Sequence, residues 1–158
     1  MEIFNASDII NFALRMEENG KQFYKEFAQK FSGSNMESVF NQLALDEKDH
    51  YELFNTMLTA VENHYLEDYK NDDYLNYLKA FIDTKIFTGE KMSKIISSID
   101  NVISALDFAI QNEFDTILFY LEMKNLLFEG YDDTVQKIIE EERKHVNELI
   151  HFIPAEIL

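Results

Sequence analysis

Four glutamates and two histidines stand at spacings that suit the binding of divalent metal ions. A Glu-x5-Phe-Tyr pattern occurs twice, at Glu17 with Phe23-Tyr24 and at Glu113 with Phe119-Tyr120. Each is followed by a Glu-x-x-His pair. Glu47 and His50 come thirty residues after the first glutamate, and Glu142 and His145 twenty-nine residues after the second. Residues three apart on a helix face the same way, so a carboxylate and an imidazole in this register can serve one metal. Four carboxylates turned into an apolar core would each cost roughly several kcal/mol if left ionised and unpaired. No Lys or Arg shares their stripes to pair with them. Two divalent cations would neutralise the four charges, and the two imidazoles add neutral ligands. Glu17, Glu47, His50, Glu113, Glu142 and His145 are therefore the candidate ligands of a two-metal centre. A hard-oxygen site supplemented by imidazole suits iron or manganese, with zinc able to substitute.

The elements that must bring these residues together are long helices. From 9 to 31 the apolar or small positions 9, 13, 16, 20, 23, 24 and 27 follow a helical period. The next stripe runs Met36, Val39, Leu43, Glu47, His50, Phe54, Met57 and Val61. A third runs Leu106, Ala109, Glu113, Ile117, Tyr120 and Leu127, and a fourth Val135, Ile138, Glu142, His145, Leu149 and Phe152. The predicted helices are 8–31, 35–61, 100–128 and 133–152. Turns at Ser32-Gly33 and Gly130 separate the members of each pair, and the single proline, Pro154, marks the end of the last. Ser34 with Glu37, and Asp133 with Gln136, read as helix-capping pairs. The Tyr- and Asp-rich stretch 62–99 reads as a crossover holding one or two short helices, broken at Thr88-Gly89.

These elements imply an all-α antiparallel four-helix bundle of two helical hairpins joined by a long, partly helical crossover. At about 1.5 Å rise per residue, Glu17 lies ~24 Å before the Gly33 turn and the Glu47–His50 pair ~20–25 Å beyond it. In the second hairpin Glu113 lies ~25 Å before Gly130 and the Glu142–His145 pair ~18–23 Å beyond it. Both sets reach one layer of the core.

Composition narrows the function classes. A chain of 158 residues, 46% hydrophobic, is the length of one domain with a sizeable core, and it is read as such over 1–158. Thirty acidic residues against 14 basic ones give a net charge of −16, which disfavours nucleic acid and anionic membranes as partners. The absence of cysteine excludes disulfides, thiolate metal sites, iron–sulfur clusters and a fused rubredoxin-type iron site within this sequence. No apolar run approaches the ~20 residues of a membrane span. The N-terminus lacks the basic and apolar regions of a secretory signal, so a cytoplasmic location is expected.

Phase separates the six candidates from their neighbours. Glu17 shares a stripe with Ala13, Gly20 and Tyr24, whereas Glu18 is turned by ~100° toward solvent. Glu148 and His151 repeat the Glu-x-x-His spacing but lie off the inner stripe, with no partner glutamate about thirty residues earlier, and are read as surface residues. His64 falls in the acidic crossover and is read as a loop histidine. Tyr24 and Tyr120 are candidates for hydrogen bonds to a bridging carboxylate, or simply for core packing.

The two glutamates and the two Glu-x-x-His pairs, taken together from about Ala13 to Leu149, resemble the di-iron carboxylate proteins of the ferritin-like superfamily. Within it the sequence is most similar to the rubrerythrin group, including its stand-alone bundles without a rubredoxin domain. The resemblance implies a ferritin-like fold and a non-haem di-iron centre reacting with H2O2 or O2, as a peroxidase or a ferroxidase. Glu47 and Glu142 are the expected bridging ligands, Glu17 and Glu113 the terminal ones, with one histidine on each metal. A separate electron-donor protein is implied, since no cysteine-based carrier is present, and a homodimer is implied by the resemblance alone. Rubrerythrin peroxidases carry a further glutamate where this sequence has Thr116. Two other readings remain open at the level of sequence: an iron-binding or delivery protein without turnover, and a structural acidic bundle with an adventitious metal site.

Overall fold

Asn5 begins the first long helix by accepting the Asp8 N–H at 2.9 Å, while the Asp8 carboxylate accepts the Asn5 N–H at 2.9 Å. The computed structural model describes residues 5–61, 72–87, 89–127 and 130–154. Its helices are α1 (Ala6–Lys30), α2 (Met36–Ala60), α3 (Asp72–Lys85), α4 (Gly89–Ser98), α5 (Val102–Leu126) and α6 (Asp132–His151). The described residues contain no strand. The four long helices are those expected from periodicity, and the crossover supplies α3 and α4. His64 lies outside the described residues.

The helical turns differ in detail from the sequence expectation. Gly33 and Gly130 adopt φ of 83° and 123°, a region that favours glycine, and so reverse the chain in each hairpin. The Ser34–Glu37 pair forms only in part, with Ser34 Oγ accepting the Met36 N–H at 3.2 Å, and the Asp133–Gln136 pair does not form as expected. Asn35 and Tyr131 stand at the two N-caps without side-chain cap bonds. Glu37 instead accepts the Gly33 N–H at 2.7 Å, a donor left free by the left-handed turn. Gln136 is taken by Lys124 of the neighbouring helix at 2.8 Å. On α5 the inner stripe also shifts: Thr116 and Phe119 are buried and Ile117 is only half-buried, because the 3.6-residue turn rotates Ile117 to the flank.

Cross-helix contacts define the packing. Tyr24 meets Glu113 and Tyr120 meets Glu17, so α1 and α5 run antiparallel. His50 meets Glu141 and His145 meets Asp46, so α2 and α6 run antiparallel as well. The second hairpin thus repeats the first about a pseudo-two-fold axis. That symmetry carries Glu17, Gly20 and Phe23 onto Glu113, Thr116 and Phe119.

Along this axis the core divides into two apolar clusters. One contains Ile10, Ala13, Phe54, Phe119 and Ile138. The other contains Phe23, Phe27, Phe40, Leu106 and Leu149. Buried Glu17, Glu47, His50, Glu113, Glu142 and His145 belong to neither and form the polar layer between them. Each burying helix contributes roughly 1.5–3 kcal/mol per large apolar side chain sealed in these clusters, which offsets the cost of the ionisable layer.

Candidate metal centre

All six candidate ligands are brought into one buried layer, each no more than 5% exposed. They fall into two groups whose ligand atoms lie within 4.8 Å of one another: Glu17, Glu47, His50 and Glu142, and Glu47, Glu113, Glu142 and His145. Glu47 and Glu142 belong to both. Each Glu-x-x-His turn places its imidazole Nδ1 on its own carboxylate, at 3.3 Å for His50 on Glu47 and 2.9 Å for His145 on Glu142. His50 Nδ1 also lies 3.0 Å from Glu142 Oε1 across the bundle. The two rings stand 5.7 Å apart, tilted by 28°. Glu18, Glu148 and His151 are exposed, and Glu18 pairs with Lys21.

Burial and mutual repulsion dominate the electrostatics. Desolvation, then the charges of Glu17 and Glu113, hold Glu47 well above the usual carboxylate range. Desolvation and the Glu142 charge push Glu113 up to about 8. Burial alone would drive His145 toward neutrality, but the Glu113 and Glu142 carboxylates outweigh it and push the imidazole up to about 12. His50 rises further by the same balance, with Glu142, Glu17 and Glu47 as its carboxylates. Glu142 is opposed by desolvation and by Glu47, yet the two imidazoles bring it below the ordinary range. Protons thus do within this layer what cations could do better.

The donor set fits two metal ions. Glu17 Oε2 and Glu113 Oε2 are buried oxygens that accept no hydrogen bond, a costly condition that a cation in the layer would relieve. Six oxygen and nitrogen ligands, two of them shared, give each ion three carboxylates and one imidazole.

Three features around the ligands go beyond the sequence reading. Glu141 Oε2 accepts from His50 Nε2 at 2.8 Å, and Asp46 lies 3.4 Å from His145 Nε2. Each imidazole therefore has a carboxylate on its outer nitrogen, contributed by the opposite helix, which fixes ring orientation. The available signal was that both Glu-x-x-His pairs are preceded by an acidic residue. The tyrosines do bind carboxylates, but crosswise. Tyr24 donates to Glu113 and Tyr120 to Glu17, the expected terminal ligands rather than the bridging ones. Gly20 abuts Glu47: a Cβ there would lie 3.3 Å from Glu47 Cγ, so only glycine lets that carboxylate lie against α1 without displacement.

Comparison with known proteins agrees with this fold. A family model described as rubrerythrin matches residues 8–103, which hold the first hairpin and the crossover. A crystal structure described as a ferritin-like diiron-carboxylate protein from Thermotoga maritima superposes with a TM-score of 0.66 and is 28% identical, covering 96% of this chain and 95% of that one. No curated protein matches the sequence. No helix among the described residues is long and apolar enough to cross a membrane.

Proposed function

The chain belongs to the rubrerythrin family, and from that premise we propose that it is a non-haem di-iron oxidoreductase of peroxide or dioxygen, re-reduced by a separate electron-donor protein. The observation that carries this reading is the pair of overlapping ligand groups sharing Glu47 and Glu142, which is the arrangement a dinuclear centre requires. Iron bound there would supply the electrons that reduce a small oxidant. The protein's part is to hold and isolate it. Glu47 and Glu142 would serve both ions, Glu17 and Glu113 would each complete one ligand set, and His50 and His145 would each give one imidazole. Phe23, Phe54 and Phe119 exclude bulk water from above and below the layer. Tyr24 and Tyr120 hold the outer carboxylates in place through their O–H donors.

The test is anaerobic loading with Fe(II), then addition of H2O2 or O2. An optical change followed by repeated turnover with a reductant is the expected result. A single stoichiometric oxidation without turnover would overturn the oxidoreductase reading in favour of an iron depot. Thr116 stands where rubrerythrin peroxidases carry a glutamate, so O2 and H2O2 are to be compared directly.

Tyr24→Phe and Tyr120→Phe provide a finer check on the support of the ligands. Each removes one donor, so each weakens one metal position by about ten- to hundredfold. Tyr24→Phe affects the position with Glu113 and His145, Tyr120→Phe the position with Glu17 and His50. Titration of the variants with Co(II), followed by its visible absorption, would reveal unchanged affinity if the tyrosines only pack.

A further inference from the structure

The crossover touches the bundle at the level of the polar layer, at two symmetry-related points. Asn19, two residues after Glu17, grips the backbone of Phe87 from both sides. Its Nδ2 donates to the Phe87 carbonyl at 3.1 Å and its Oδ1 accepts the Phe87 N–H at 2.7 Å. The pseudo-two-fold mate of Asn19 is Asp115, two residues after Glu113, and Asp115 forms an ion pair with Lys85. The same short piece of chain, 85–87, is therefore held from α1 and from α5 together.

Its side chains fix the height at which it crosses. Ile86 packs into one of the two core clusters and Phe87 packs against the other, so consecutive residues lie on opposite sides of the ligand layer. On α1 and α5, Gly20 and Thr116 are the pseudo-two-fold mates that follow Glu17 and Glu113 by one turn. On the opposite face, between α2 and α6, the histidines reach partly exposed Glu141 and Asp46 with no such strap recorded among the described residues.

We infer that Asn19 and Asp115 are positioning residues that fasten the 85–87 crossing as a seal over the α1–α5 seam, confining metal and solvent exchange to the α2–α6 face. The inference rests on the metal reading above. A side-chain amide that pairs with both polar groups of one residue copies a backbone ladder, and it leaves Phe87 no alternative register. The ion pair, partly shielded at Asp115, holds the other edge.

The experiment compares Asn19→Ala, Asn19→Asp and Asn19→Ala/Asp115→Ala with the wild type, loaded with Co(II) and challenged with a chelator. Asn19→Ala should release Co(II) about tenfold faster, the scale of losing two ordinary hydrogen bonds, with the stoichiometry at saturation unchanged. The double variant should be faster still. Asn19→Asp keeps the acceptor for the Phe87 N–H and should fall between. Lys30→Met breaks a different crossover tether, to the Ile96 carbonyl, and should leave the rate unaltered, which separates sealing from general loosening. Hydrogen exchange of the Phe87 amide, measured without metal, should accelerate in Asn19→Ala. Equal exchange there would overturn the clamp, and equal Co(II) release in a variant with accelerated exchange would overturn the seal. Failure of the wild type to retain Co(II) would instead overturn the metal reading and the seal that depends on it.

Discussion

Glu47→Ala and Glu142→Ala are each expected to abolish binding of both metal ions, whereas Glu17→Ala, His50→Ala, Glu113→Ala and His145→Ala each lose one. The difference follows from membership: the first two residues serve both ligand groups and the other four serve one each. Removing a shared carboxylate also leaves three formal charges to balance two divalent cations, so the remaining ligands lose the electrostatic reason to hold a pair. The fold should survive. Glu142 and Glu47 are buried ionisable groups whose truncation opens a small cavity but also removes a desolvated carboxyl, and these effects oppose one another. Metal content per chain after Fe(II) loading and gel filtration, with circular dichroism as a folding control, decides the matter. One ion retained by Glu142→Ala, or none by Glu17→Ala, would contradict the shared-ligand assignment.

Metal-free protein should melt well below metal-loaded protein, by about 10 °C or more at metal concentrations a hundredfold above Kd. The gap should widen as pH rises from 6 to 8. Glu113 is ordinarily protonated only below 4.5 but is held up to about 8 in the fold, and His145 is raised from 6.5 to about 12. A raised folded pKa contributes stability that is present below the unfolded value and lost as pH climbs through the folded one. For Glu113 that window is 4.5 to 8, and for His145 it is 6.5 to 12, so both weaken the metal-free protein across pH 6 to 8. Metal ions displace those same protons and gain affinity over the same interval. Loading at pH 7 should accordingly release protons from His50, His145 and Glu113, measurable with an indicator dye. Thermal melts at pH 6 and 8 with a constant or shrinking gap would refute the coupling.

The sequence carried the ligand layer because two independent periodicities coincide in it. Helical phase placed Glu17 inward and Glu18 outward, and the duplicated spacing tied Glu17 to Glu113 and both to a Glu-x-x-His pair. Packing partners from the opposite hairpin were less legible. Asp46 and Glu141 look like ordinary exposed acids until the antiparallel pairing of α2 and α6 sets each beside a histidine of the other helix. Tyr24 and Tyr120 were read against the bridging carboxylates, whereas the antiparallel run of α1 and α5 exchanges them between Glu113 and Glu17. Asn19 has no local signature at all. Its role depends on where the crossover returns to the bundle, and spacing along the chain does not encode that. The capping pairs stay incomplete for a related reason: Glu37 and Gln136 find other partners than their own helix ends.

The shared ligands also bear on the order in which the chain assembles. Each hairpin can form early, because its two helices are neighbours in sequence and close over a short turn. Neither hairpin owns a complete ligand group: the first holds Glu17, Glu47 and His50 but waits for Glu142, and the second holds Glu113, Glu142 and His145 but waits for Glu47. Metal capture at full coordination is thus a late event that follows docking of the two hairpins. A bound ion then acts as a bolt between them, slowing their separation far more than it hastens their formation.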